Sequence, residues 1–464
     1  MQLFDCLVEM KEYEEEKLRN KLVHRGLEAQ LPTLMMRLRT MLLKSLLAFG
    51  ADDSVTARLR FAMAEIDWLF RKKLIDQVPA RIRKARKLAR KYARYAQELR
   101  LIDRERQLLF ERHPDQIQAA YERIRADEIA ALDAFALQRA AADLFLRMRS
   151  LSREILRPRS VEDRARFTEL VEHPTWTQAR TSDDFLTRAY ALHTRGLYEI
   201  AFQQAAVAVA TYAELLDRWK AAPDWINEQA DLFLASFNNF QISVLLSPRD
   251  TQIPTENYAR FFSEQHFESP QVRLRFQHIY YGNQLVYLLN HALFEQGLPL
   301  AEQIKPWLVQ NRDDLPKSTW LSIQYNLAVF YFLSGRSSAA NRRVQAILNF
   351  PGGDQRRDIR DFALLFELVL HTDLAHADLV EYRLRAARRY FADPARANPL
   401  AHALLAYFPE GKSADGRAAL EELQRALEEM EGQVFGRMEV ELWVERKLSG
   451  RKISEIFRDR IGGG

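Results

Sequence analysis

Histidine is the side chain most able to exchange protons near neutral pH, and this chain has ten of them with little to work with. The closest pair, His371 and His376, stands five residues apart, which puts the two rings on different faces if one helix carries both. Asp373, between the two, and Asp378, just beyond, are the acid–base partners such a pair would use, but carboxylates solvated at a helix end are the favoured reading. No HExxH, GxSxG, EF-hand or glycine-rich phosphate motif occurs. Pro351-Gly352-Gly353-Asp354 has two glycines but no following Lys-Ser/Thr, so it makes a poor phosphate cradle. Cys6 is the only cysteine, which excludes an internal disulfide and a cysteine-cluster metal site. The expectation is a non-enzyme with no cofactor, no metal and no catalytic residue.

Charge offers a stronger lead. Between Arg71 and Tyr95 eleven Lys or Arg stand against Asp76 alone, a net +10 in a chain of net +5, so all other residues sum to −5. At helical spacing Val78, Ile82, Ala85, Ala89 and Tyr92 fall on one side. Arg83, Lys84, Lys87, Arg90, Lys91 and Arg94 fall on the other. Such a stripe attracts an anionic partner, nucleic acid included, but a run of this kind is more often the solvated face of an Arg-rich helix, and no aromatic platform accompanies it. Residues 410–445 carry ten acids and four bases, net −6, and are a possible counterpart for the stripe in self-association.

These side chains must be positioned by helices. A hydrophobic share of 47% with 28% charged residues is that of a soluble folded chain, and 464 residues exceed one ordinary core. Strand-like alternation is hard to find. In the stretch Phe185 to Leu215, Phe185, Ala189 and Leu192 keep helical spacing and Gly196 interrupts it. Tyr198, Ala201, Ala205 and Ala208 then resume it, which reads as a helical hairpin with its turn at Gly196 and Thr181 or Ser182 as the cap. Related offsets recur around Lys73 and Gly335. The pattern resembles the tetratricopeptide repeat, in which small residues let antiparallel helices approach and each hairpin needs a stacked neighbour to bury its apolar side.

The expected fold class is therefore all-α, a superhelical stack of helical hairpins of tetratricopeptide-like α-solenoid type. Residues 1–50 form an N-terminal cap in which Leu31 to Phe49 is a buried helix closed by Gly50, residues 51–350 the array, and residues 351–464 further repeats and a capping helix. Pro79 falls in a first helical turn capped by Asp76. Gln116 to about Arg153 is an Ala-rich helix, Gln271 to Gly297 one long aromatic-rich helix, and Phe362 to Phe391 another. No basic leader with an apolar core and no run of ~18 apolar residues occurs, so a cytoplasmic protein without a membrane span is expected.

Three separated segments also resemble a large, mostly uncharacterised family of tetratricopeptide-like helical proteins from Bacteroidota. The opening helices KEYEEEKLRNKL, LMMRLRTMLLKSLLAF and EIDWLFRKKLIDQVPARIRKARKLA are similar to that family's start. Glu367, Leu368, Asp378, Leu379, Glu381, Tyr382, Arg385 and Arg389 match its late signature, and ELWVERKLSGRKISEIF its terminal helix. Family members often carry one further helical segment ahead of the LFD-like stretch on which this chain begins. The resemblance implies a helical array and an interaction role, and it supplies no catalytic residue.

Together these readings predict a scaffold that holds a protein or peptide partner along a concave wall. Asp183, Tyr190, His193 and Tyr325 are expected to point there, with His193 a solvated or hydrogen-bonded side chain. The alternative is a nucleic-acid-associated regulator that uses the basic helix over 71–95.

Overall fold

The computed structural model describes residues 2–10, 13–23, 30–49, 54–111, 114–248, 255–264, 267–351, 356–408, 416–432 and 434–462. Among them every regular element is helical and no strand occurs. Gly50 and Gly352-Gly353-Asp354 lie outside the described residues. Contacts divide the chain into two compact units, Met1–Glu154 with Ser160–Thr194, and Ile155–Arg159 with Arg195–Gly464.

The first unit contains α1 (Gln2–Val8), α2 (Glu15–Val23), α3 (Leu31–Phe49), α4 (Val55–Arg71), α5 (Val78–Lys91), α6 (Tyr95–Gln107), α7 (Pro114–Glu154), α8 (Val161–Glu172), α9 (Pro174–Arg180) and the first part of α10 (Phe185–Ala201). In the second are the rest of α10, then α11 (Ala205–Ala221), α12 (Asp224–Glu228), α13 (Ala230–Leu246), α14 (Thr255–Glu264), α15 (Pro270–Asn290), α16 (Phe294–Gln310) and α17 (Lys317–Leu333). It continues with α18 (Ser337–Leu348), α19 (Arg357–Asp373), α20 (Ala377–Phe391), α21 (Pro399–Tyr407), α22 (Arg417–Glu428), α23 (Arg437–Ser449) and α24 (Ile453–Gly462).

Among the described residues one turn joins helices at six places. Lys73, Ala93, Gln203, Ala292, Gly335 and Ala375 all have positive φ, between 47° and 77°. At each, the following N–H reaches back to the carbonyl five residues earlier, as in Arg336 N to Tyr331 O at 2.7 Å and Gln204 N to Glu199 O at 2.8 Å. This is the Schellman closure, which satisfies the last carbonyls of one helix and reverses the chain within three residues. Five of the six left-handed positions hold a residue with a side chain, so the turn is not marked by glycine.

The hairpin around Gly196 is therefore real but displaced. Gly196 lies inside α10, and the reversal comes at Phe202–Gln204 with Gln203 left-handed. What Gly196 provides is proximity: a Cβ there would sit 2.5 Å from the Tyr212 ring of α11. Gly297 does the same in α16, where a Cβ would meet the Phe330 ring at 2.5 Å. The long helix expected over 271–297 is broken at Ala292, and that over 362–391 at Ala375, each by the same turn.

Other expectations need correcting. Gln77, not Asp76, precedes α5, and no side chain caps it. Asp184 caps α10, accepting from Thr187 N at 2.8 Å, while Ser182 Oγ accepts from Asp184 N. The helix α3 is not a buried lid. Its first turns pack with Leu3, Cys6 and Leu18, but Met36, Met41, Leu43 and Leu46 are exposed. The Ala-rich segment forms the unbroken helix α7, and the hairpin α17–α18 turns at Gly335 as its sequence indicates.

Candidate functional site

The charged feature sits on α5, whose sequence VPARIRKARKLARK separates apolar from basic residues at helical spacing. Val78, Ile82, Ala85 and Ala89 are buried, and Arg83, Lys84, Lys87, Arg90 and Lys91 are exposed. The expected stripe is thus real on α5, but it is shorter than the sequence suggests. The segment 71–95 is not one helix, because turns at Lys73 and Ala93 bracket α5, and half-buried Arg94 belongs to the second turn.

Arg86, named in neither face by the sequence reading, is the centre of the site. Its side chain is 7% exposed, a costly place for a guanidinium unless carboxylates surround it. They do. Arg86 Nη1 donates to Glu105 Oε2 at 2.5 Å and Nη2 to Asp127 Oδ2 at 2.6 Å, with Glu98 Oε1 3.6 Å away. Arg90 is not a free stripe residue either, since it pairs with Glu98 and lies 3.1 Å from Asp127. Arg123 of α7 closes the lattice on Glu105. Burial opposes the charge on Asp127, but the hydrogen bonds and charges of Arg86 and Arg90 win and hold its carboxyl below the usual range. Sequence spacing conceals this network because the acids stand 12, 19 and 41 residues from Arg86.

Beside the lattice lies a cavity of about 430 Å³ lined by Arg83, Arg86, Lys87, Arg90, Glu105 and others of α5, α6 and α7. On the neighbouring helix α4 an aromatic side chain is half-exposed after all: Trp68, with Arg71 and Lys72 over its ring at 5.4 and 5.0 Å.

The residues expected on a concave wall are mostly committed inward. His193 is fully buried, its ring 4.9 Å from Phe145, so it is not a solvated selector. Tyr190 is half-buried and stacks on the same Phe145 at 5.8 Å, and burial pushes its phenol up. Tyr325 donates its hydroxyl to Glu439 Oε1 at 2.7 Å and packs against Phe435 and Phe362. Asp183 alone is exposed, at a cavity of about 670 Å³ that Tyr95, Asp184 and Thr187 also line.

The histidine pair also differs from its expected geometry. α19 ends at Asp373 and the turn at Ala375 folds the chain back, so His371 Nδ1 and His376 Nδ1 face each other at 3.2 Å. Burial lowers the His371 pKa against the pull of Glu367. Asp373 is an internal anchor and not a solvated helix end: it accepts from Trp443 Nε1 at 2.9 Å and pairs with Arg446 and Lys447. Among the described residues no group of three or more His, Cys, Asp or Glu is placed to hold a metal ion, and no helix is long and apolar enough to cross a membrane.

Comparison with protein-family models, with curated proteins and with solved structures finds no match to this chain.

Proposed function

We propose that the chain is a non-enzymatic, tetratricopeptide-like scaffold that binds a protein or peptide partner. The supporting observation is the sixfold use of one Schellman turn to pair successive helices, with Ala208, Gly297 and Ala340 each five residues past the left-handed position, at a buried site. Repeated hairpins of this kind make extended surfaces suited to elongated partners. Apolar side chains left uncovered on α3 and α4, among them Met36, Met41, Leu46, Phe61 and Trp68, mark where contact is made. The partner surface so proposed replaces Tyr190, His193 and Tyr325 by residues that solvent reaches. Affinity capture from the native host, followed by titration of the captured partner against purified protein, tests it. Met41→Glu with Leu46→Glu should weaken that binding at unchanged helix content, and undiminished affinity would refute the assignment.

A second reading, a nucleic-acid-associated regulator, is favoured by the joint exposure of Arg83, Lys84, Lys87 and Lys91 on α5. It requires binding that falls steeply with added salt and that is lost when Lys84, Lys87 and Lys91 become Glu. Salt-independent binding, or none, removes it.

A further inference from the structure

The α5–α6–α7 cleft has more positive charge than its own carboxylates neutralise. Five cations line it, Arg83, Arg86, Lys87, Arg90 and Arg123. Three carboxylates answer them: Glu105 and Asp127 in the lining, and Glu98 behind. The balance is two positive charges. It resides on Arg83 and Lys87, because Arg86, Arg90 and Arg123 are the ones tied into the lattice. Among the described residues no carboxylate lies within ion-pair distance of Arg83 or Lys87, which stand one helical turn apart. Arg86 adds a guanidinium fixed in the lining, both of its Nη atoms already donating to carboxylates.

From this geometry we infer that the cleft binds a small phosphate-bearing dianion. Two surplus charges match a dianion and not a single carboxylate. Guanidinium donors fit tetrahedral phosphate oxygens. The cavity of about 430 Å³ is in the size range of small-molecule sites, so it has room for more than the phosphate alone. Arg83 and Lys87 supply the attracting charge, and Arg86, held rigid by Glu105 and Asp127, supplies a fixed donor. The inference is independent of the scaffold reading. It also differs from the nucleic-acid reading, because it needs the cleft and not the whole basic face.

The test is titration of the full chain with inorganic phosphate and with a phosphate monoester at pH 8, at constant ionic strength set by chloride. Saturable one-to-one binding is expected. Arg83→Gln with Lys87→Gln should weaken it about tenfold or more, the loss of two charge-assisted contacts. Lys84→Gln with Lys91→Gln, on the same helix but outside the cavity lining, should leave it within about twofold. Circular dichroism of both double variants should match the parent, since these side chains are exposed. Non-saturable binding, or equal loss in the two double variants, overturns the site. Phosphate binding without polynucleotide binding supports it while removing the nucleic-acid reading.

Discussion

Replacing Tyr325 by Phe separates the structure from the exposed-wall expectation most cleanly. Glu439 is 4% exposed, and burial raises its pKa, with the Tyr325 hydroxyl and a backbone hydrogen bond working the other way. Removing the hydroxyl takes a donor from a buried carboxylate, which costs about 1.5–3 kcal/mol when that carboxylate is charged. The pH dependence follows from the direction of the shift. Because the folded pKa lies above the unfolded value of about 4.3, the folded state holds the proton more tightly. Glu439 therefore weakens the fold progressively as pH rises through its folded pKa, and the missing hydroxyl is felt most above it. Tyr325→Phe should lower the urea midpoint with an unchanged m-value, and do so more at alkaline than at acidic pH. In a Glu439→Gln background the same change should cost only about 1 kcal/mol, the worth of a neutral hydrogen bond. Amide exchange in α17 and α23 localises the effect, which matters in a chain of two compact units. An unchanged midpoint across the alkaline range, or a loss independent of pH, would refute the reasoning.

Three further outcomes are expected. Gly196→Ala drives a Cβ into the Tyr212 ring and should destabilise by about 1–3 kcal/mol, whereas Gly282→Ala in α15, with no atom within 4 Å of its Cβ, should stabilise by up to ~1 kcal/mol; thermal melts compare them. Gln203→Gly and Ala375→Gly relieve left-handed strain and should each stabilise by about 1 kcal/mol, while Gly335→Ala should cost a similar amount, read as shifts in urea midpoint. Arg86→Met takes one cation from Glu98, Glu105 and Asp127, leaving them to Arg90 and Arg123, and should cost about 1–3 kcal/mol at pH 7. Since the folded Asp127 pKa is depressed, its contribution is present above the unfolded value of about 3.9 and lost as pH falls through the folded one. The gap between parent and Arg86→Met should therefore narrow on acidification below pH 4, and a constant gap would deny the ion lattice its role.

Helix content and the apolar side of α5 were legible because periodicity is a local property of the chain. Gly335 was found as a turn because glycine and left-handed backbone coincide there. Gln203, Ala292 and Ala375 adopt the same backbone without glycine, so nothing local marks them. Gly196 misled in the opposite sense: its missing side chain serves the approach of Tyr212, and the helix runs through it. The charged site was half legible. Arg83 and Lys87 follow from spacing, but the burial of Arg86 depends on acids from α6 and α7 that only the folded chain brings near. Tyr325 was misplaced for the same reason, its partner Glu439 being 114 residues away.

The length of α7 ties distant parts of the first unit into one mechanical member. Arg123 and Asp127 stand at its cleft end, and Phe145, the seat for Tyr190 and His193, lies 18 residues beyond Asp127, about 27 Å along the axis. No proline or glycine interrupts the span, so it has no hinge at which a tilt is absorbed. A lever of this kind delivers a small displacement at the guanidinium end to the aromatic end, against Tyr190 and His193 of α10.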